Sequence, residues 1–125
     1  MTDKKEIGNF GEDFTSKFLK KSGYKILERN YHSRYGEIDI IASKGAVLAF
    51  VEVKTRTEGS LFKGREAVDF FKSQKCLKSA QIYVAKNPTE LQPRFDVSEL
   101  VVKSGGKKIE VVEHNYIENT LDGGF

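Results

Sequence analysis

The chain has 125 residues, 38% of them hydrophobic and 31% charged, which supplies apolar material for one core and leaves no room for a second independent domain. Its net charge of +3 permits nucleic-acid binding without requiring it, and the single cysteine, Cys76, excludes an internal disulfide and the usual thiolate set of a zinc centre. Charge interrupts the first 22 residues every few positions, so neither a signal-peptide apolar region nor a membrane span is present there and a cytoplasmic protein is expected.

Ile7, Phe10, Phe14 and Phe18 recur at spacings of three and four, which predicts an amphipathic helix over residues 2–22, stopped by Gly23. YKILERN (24–30) predicts a short first strand, followed by a polar turn or loop at 32–35. In GEIDIIA (36–42), regular alternation places Ile38, Ile40 and Ala42 on one face and Glu37, Asp39 and Ile41 on the other. SKG then turns the chain into AVLAFVEVKTR, so these two strands form a hairpin. Val47, Ala49, Val51 and Val53 share one face of the third strand, and Leu48, Phe50, Glu52 and Lys54 the other. A strand apolar on both faces almost to its end belongs at the centre of a sheet, under packed helices.

Residues 55–64, polar and containing Gly59 and Gly64, predict a loop beyond that strand. Phe70, Leu77, Ala80 and Val84 mark a second helix over 65–87, closed by Pro88. RFDVSELVV (94–102) and KIEVVEH (108–114) read as two strands about Gly105-Gly106, and the tail from 115 is expected to be loosely held. The fold class is therefore α/β, in the order αβββαββ, with a mixed central sheet flanked by helices as one domain over 1–125.

Asp39 interrupts a hydrophobic strand, and thirteen residues later Glu52 and Lys54 end an even more hydrophobic one. Residues two apart on a strand point the same way, roughly 6.6 to 6.8 Å from each other, so Glu52 and Lys54 project into one space. In a hairpin Asp39 can join them. Carboxylates from neighbouring strands make an oxygen site for a hard divalent cation, Mg2+ or Mn2+, and a lysine beside them completes a layout suited to phosphodiester hydrolysis. The plainer alternatives are an exposed Glu52–Lys54 ion pair and a salt bridge from Asp39 to Lys54 or Arg56. Asp39 weighs toward chemistry, because an isolated aspartate is costly to bury and a poor strand former.

GEIDIIA followed by FVEVKTR resembles the D-(spacer)-E-x-K core of the PD-(D/E)XK nuclease superfamily, whose fold is restriction-endonuclease-like. With the GNFGE helix, GYKILERNY, EAVDFFKSQK and RFDV, the resemblance extends over residues 8–97 to the YraN-like family of small bacterial proteins, itself similar to archaeal Holliday-junction resolvases. It implies a metal-dependent nuclease acting on branched or structured DNA, in repair or recombination, with Asp39, Glu52 and Lys54 catalytic. In the resolvase-like branch a glutamate of the first helix joins the metal cluster, and Glu12 occupies that place, completing a set with Asp39 and Glu52. Without the resemblance Glu12 reads as an ordinary solvated helix residue, off the phenylalanine stripe and on the side of Gly8, Thr15 and Leu19. Resolvase-like enzymes resemble paired cutters acting on two strands, so the resemblance accommodates a homodimer, and the sequence itself, which shows no diagnostic interface, leaves the oligomeric state open. The same scaffold also accommodates a non-catalytic nucleic-acid-binding or DNA-processing accessory domain.

Around this centre the sequence offers Glu37 as a substitute ligand, with solvent or Arg34 as its plainer partner, and Gln74 as a supporting amide from the second helix. Arg29, His32, Arg34, Arg56, Lys63, Arg65 and Lys72 are candidate DNA contacts; singly each reads as a solvated basic residue, and only their clustering gives them weight. Tyr31 and Tyr35 suit either base stacking or packing under the loop. Gly59 and Gly64 imitate half of a phosphate-binding loop, but Arg65-Glu66 follows where Lys and Ser or Thr are needed.

Overall fold

A computed structural model describes residues 4–59, 70–106 and 108–120, with the side chains of 70–74 outside the description. The elements are α1 (Lys4–Lys21), β1 (Lys25–Ser33), β2 (Gly36–Lys44), β3 (Val47–Thr57), α2 (Phe70–Lys86), β4 (Gln92–Ser104) and β5 (Ile109–Ile117). The strands form one mixed sheet in the order β1-β2-β3-β4-β5, with β3 central as expected. Only β3 and β4 are parallel, and α2 lies in the crossover that such a pair requires.

The two faces of β3 explain both helices. Leu48 and Phe50 pack with Ala80 and Tyr83 of α2, while Ala49 and Val51 pack with Leu19 of α1. Gly23, at φ +95°, ends α1: Gly23 N–H donates to the Lys20 carbonyl at 3.1 Å and Tyr24 N–H to the Leu19 carbonyl at 2.9 Å, which satisfies two orphan carbonyls of the last turn. The β2–β3 hairpin closes through a two-residue loop whose first position, Gly45, has φ +57°.

Several boundaries differ from the sequence expectation. β1 continues through His32 and Ser33, because both pair with the start of β2, and the loop shrinks to Arg34-Tyr35. β3 runs on to Thr57 against β4. Residues 65–69, expected as helix, lie outside the described residues, as do 60–64 of the expected loop. The tail is held further than expected: Asn119 N–H donates to Asp96 at 3.1 Å, and Thr120 N–H to the Phe95 carbonyl at 2.7 Å.

The packed face of α1 is also not the phenylalanine stripe. Gly11, Thr15, Ser16 and Leu19 are its buried residues, whereas Phe14 and Phe18 lie edge-on to His114 of β5, at 5.0 and 4.8 Å between ring centres. Small side chains let the helix settle close to β3, and the larger rings cover the neighbouring strands. Beneath them Thr15, Ser98 and His114 form a hydroxyl–hydroxyl–imidazole chain of 2.8 and 2.9 Å links. Burial keeps the His114 pKa below its ordinary value, so the neutral ring is favoured.

At Gly11 the contact is so close that an added Cβ would sit 1.8 Å from Thr55 Oγ1, 3.1 Å from Thr55 Cβ and 3.3 Å from Val53 Cγ1. Gly11→Ala should therefore cost about 1–3 kcal/mol by overpacking, measured by denaturant unfolding. Thr55→Ala should restore part of that loss in the double variant. An unchanged midpoint for Gly11→Ala would show that the helix can back away freely.

A second buried device ties β4 to the chain after β5. Asp96, 1% exposed, accepts from Arg94 Nε and Nη2 at 2.9 and 2.8 Å, from Tyr116 O–H at 2.6 Å and from Asn119 N–H. Arg94 also donates to the Tyr24 hydroxyl, and its pKa is raised chiefly by the hydrogen bonds to Asp96. Asp96→Ala leaves the guanidinium without its main partner and should destabilise the fold by about 3–5 kcal/mol, read from the same unfolding curves.

Candidate acidic site

Strand pairing between β2 and β3 runs from Lys44–Val47 to Ile40–Val51. Beyond it the next backbone donor of β3 is met by a side chain: Val53 N–H donates to Asp39 Oδ2 at 2.8 Å. An aspartate in a hydrophobic strand is thereby satisfied by a hydrogen bond that the ladder would otherwise have provided.

The face alternation expected for GEIDIIA fails at this point. Ile38 and Ile41 belong to the cluster under α2, whereas Ile40 and Ala42 belong to the cluster under α1. The break lies opposite Asn30, which has φ +53° and sits between the Arg29–Ile40 and Tyr31–Ile38 pairs. Asparagine tolerates this left-handed backbone better than most residues. Both strands depart from regular pleating at one level, and Asp39 is released toward α1.

Glu12 descends on the same place. Its ligand atom and those of Glu37 and Asp39 all lie within 4.8 Å of one another. Periodicity alone read Glu12 as a solvated helix residue, whereas the family resemblance made it a third carboxylate of the metal set; its side chain is only 16% exposed, because Gly11 brings that side against the sheet. With its nitrogen turned toward the carboxylates, the Asn30 amide donates to Glu12 Oε1 at 3.0 Å and to Glu37 Oε1 at 2.9 Å. Arg29 lies 3.7 Å from Glu12 and 2.9 Å from Asp13. Burial is the largest influence on Glu12 and raises its pKa; Glu37 adds to the rise, while Arg29 and Asn30 oppose it.

Of the residues singled out by sequence, the structure thus gathers Glu12, Asp39 and Glu37, with Glu37 standing where Glu52 was expected in the trio. Glu37 pairs with His32 at 3.4 Å instead of with Arg34. Glu52 and Lys54 flank Val53, whose amide grips Asp39, and by alternation they follow Leu48 and Phe50 on the α2 side. Glu52 Oε1 is buried and Lys54 is half-buried. Arg56 lies 3.7 Å from Glu99. Lys63 and Arg65 lie outside the described residues, as do the side chains of Lys72 and Gln74. Asn30 escaped the sequence reading: strand formers on both sides concealed it, and its residue type was the only signal.

The carboxylates supply oxygen donors alone, a set suited to a hard divalent cation, and their mutual repulsion is of the kind such an ion relieves. Fold and site define a mixed-sheet α/β domain with an acidic centre where its second and third strands part. Residues 11–100 match the family described as uncharacterised protein family UPF0102, and the chain belongs to that family. A UPF0102 protein of Caldanaerobacter subterraneus subsp. tengcongensis is 45% identical over 113 residues, covering 90% of this chain and 93% of the relative. A UPF0102 protein of Dictyoglomus thermophilum is 43% identical over 118 residues, 94% of this chain and 98% of the relative. No helix among the described residues is long and apolar enough to cross a membrane.

Because Glu12 holds its proton more tightly folded than unfolded, it favours folding below the ordinary carboxyl pKa, and that contribution disappears as pH rises through the raised value. Glu12→Gln should therefore gain stability relative to the wild type as pH rises above 4.5, measured by denaturant unfolding in EDTA. A difference that shrinks with rising pH would contradict the raised pKa.

Proposed function

We propose that this protein is a Mg2+- or Mn2+-dependent nuclease with a restriction-endonuclease-like core, hydrolysing phosphodiester bonds in branched or structured DNA. The observation that carries the reading is Asp39: a carboxylate held inside a hydrophobic sheet by Val53 N–H, with the Glu12 and Glu37 carboxylates beside it and the Glu52-Val53-Lys54 run across the gap. The preference for branched DNA rests on the motif resemblance to the resolvases.

In this proposal Glu12, Asp39 and Glu37 hold the ion from the α1 side, and Glu52, on the α2 side of the sheet, joins them through the gap where β2 and β3 part. A bound divalent cation would polarise the phosphate and lower the pKa of water. Lys54, a fixed positive charge beside Glu52, orients the attacking water or offsets charge developing on phosphorus. Val53 N–H keeps the Asp39 carboxylate oriented, and Asn30 holds Glu12 and Glu37 against their repulsion.

Arg29 beside Glu12 favours a second reading: its guanidinium already offsets part of the acidic charge, as it would in a nucleic-acid-binding accessory domain without catalysis. The two readings separate on labelled four-way-junction, duplex and single-stranded DNA with magnesium, manganese or EDTA. Cleavage should need the metal and fall roughly a hundredfold or more in Asp39→Ala and Glu52→Ala. Manganese at ten times its Kd should also stabilise the wild type by about 1.4 kcal/mol, and Asp39→Ala by much less. Binding without cutting under every condition would favour the accessory domain.

A further inference from the structure

The loop between β1 and β2 consists of Arg34 and Tyr35, with Ser33 and Gly36 paired across it. Arg34 Cζ and Lys78 Nζ each lie 5.0 Å from the centre of the Tyr35 ring, one from the loop and one from α2. The negative faces of an aromatic ring attract cations but do not neutralise them.

The loop is fixed to the helix. Tyr35 N–H donates to Ser33 Oγ at 3.0 Å, and Ser33 Oγ is 2.7 Å from Ser79 Oγ of α2, a residue with no exposed surface. Gly36 lies against Lys75, whose Cβ would be 3.8 Å from a Cβ added at the glycine. Arg34, Lys75 and Lys78 are all exposed.

Their charges stand apart from those of the other described arginines. Arg29 lies beside Glu12 and Asp13, Arg56 beside Glu99, and Arg94 beside Asp96. Among the described residues, Arg34, Lys75 and Lys78 form no ion pair with a carboxylate. Two residues after Tyr35 comes Glu37, a member of the acidic group.

We propose that Arg34, Lys75 and Lys78, arrayed about Tyr35, form a phosphate-backbone contact for DNA at the β1–β2 turn, two residues along the chain from Glu37 of the acidic group. The inference rests on the nuclease reading for its ligand. The cations bind phosphates without reading bases, and the ring together with the Ser33–Ser79 link fixes where they stand.

The test measures binding of fluorescent duplex and four-way-junction DNA in EDTA across a salt series, using the full chain. Arg34→Gln/Lys75→Gln/Lys78→Gln should weaken binding and lower the slope of log K against log salt by about 2 to 3. Tyr35→Leu keeps the charges and should give a smaller loss with a nearly unchanged slope. Lys20→Gln/Lys103→Gln/Lys108→Gln removes equal charge elsewhere and should bind nearly as the wild type; thermal unfolding checks that each variant is folded. An unchanged slope in the first triple variant, or an equal fall in the second, overturns this contact while leaving DNA binding in place. Absence of salt-sensitive DNA binding by the wild type overturns both the contact and the nuclease reading. Binding that depends on the first triple without metal-dependent cleavage supports the contact and overturns catalysis.

Discussion

The acidic site depends on one substitution of hydrogen-bond partners: a carboxylate takes the place of a strand. β2 leaves the ladder after Ile40–Val51, which would orphan an amide of the central strand, and Asp39 accepts it from Val53. Buried backbone groups tolerate little else. A neutral apolar residue at 39 would leave the N–H without that partner, and a regular strand would leave no gap for a carboxylate. The separation of the strands and the identity of the residue that closes it are consequently a single feature of the fold.

That feature reaches outward through residues with no acidic chemistry of their own. Asn30 accepts a left-handed backbone where β1 must follow the irregularity of β2, and the same residue spans Glu12 and Glu37 with its amide. Gly11 lets α1 approach Thr55 and Val53 closely, which carries the adjacent Glu12 down to the sheet. The acidic group is assembled from two elements, α1 and β2, with β1 contributing Asn30, by local backbone permissions, each of which a larger or stiffer side chain would revoke.

Much of this was legible in the sequence, and the parts that were not share a cause. Periodicity yields the order αβββαββ, the helix stop at Gly23 and the central place of β3, because burial on one face or two imposes a pattern on many residues at once. Asp39 stood out for the same reason, as a charge in an apolar run. The reversal between Ile38 and Ile41 did not, since it depends on two strands deforming together. The packed side of α1 was concealed because Gly11 and Thr15 contribute closeness instead of hydrophobicity, and pattern reading rewards the larger phenylalanines. The hold on the tail required Asp96, a residue whose partners lie on β4 and beyond β5, to be seen in place.

Two acidic arrangements in this small protein therefore differ in kind, one buried at Asp96 and one half-buried with Glu37 exposed. Asp96 is enclosed by donors, among them Arg94, Tyr116 and Asn119, so its charge is spent on joining the end of the described chain to the sheet. The Glu12–Glu37–Asp39 group instead sets like charges close together, with Arg29, Asn30 and Val53 N–H beside them, and burial raises the Glu12 pKa. Removing one member of a closed network leaves an uncompensated buried charge, whereas carboxylates set close together repel one another. The first arrangement explains itself as architecture. The second instead gathers carboxylates of α1 and β2 at the place where β2 and β3 part.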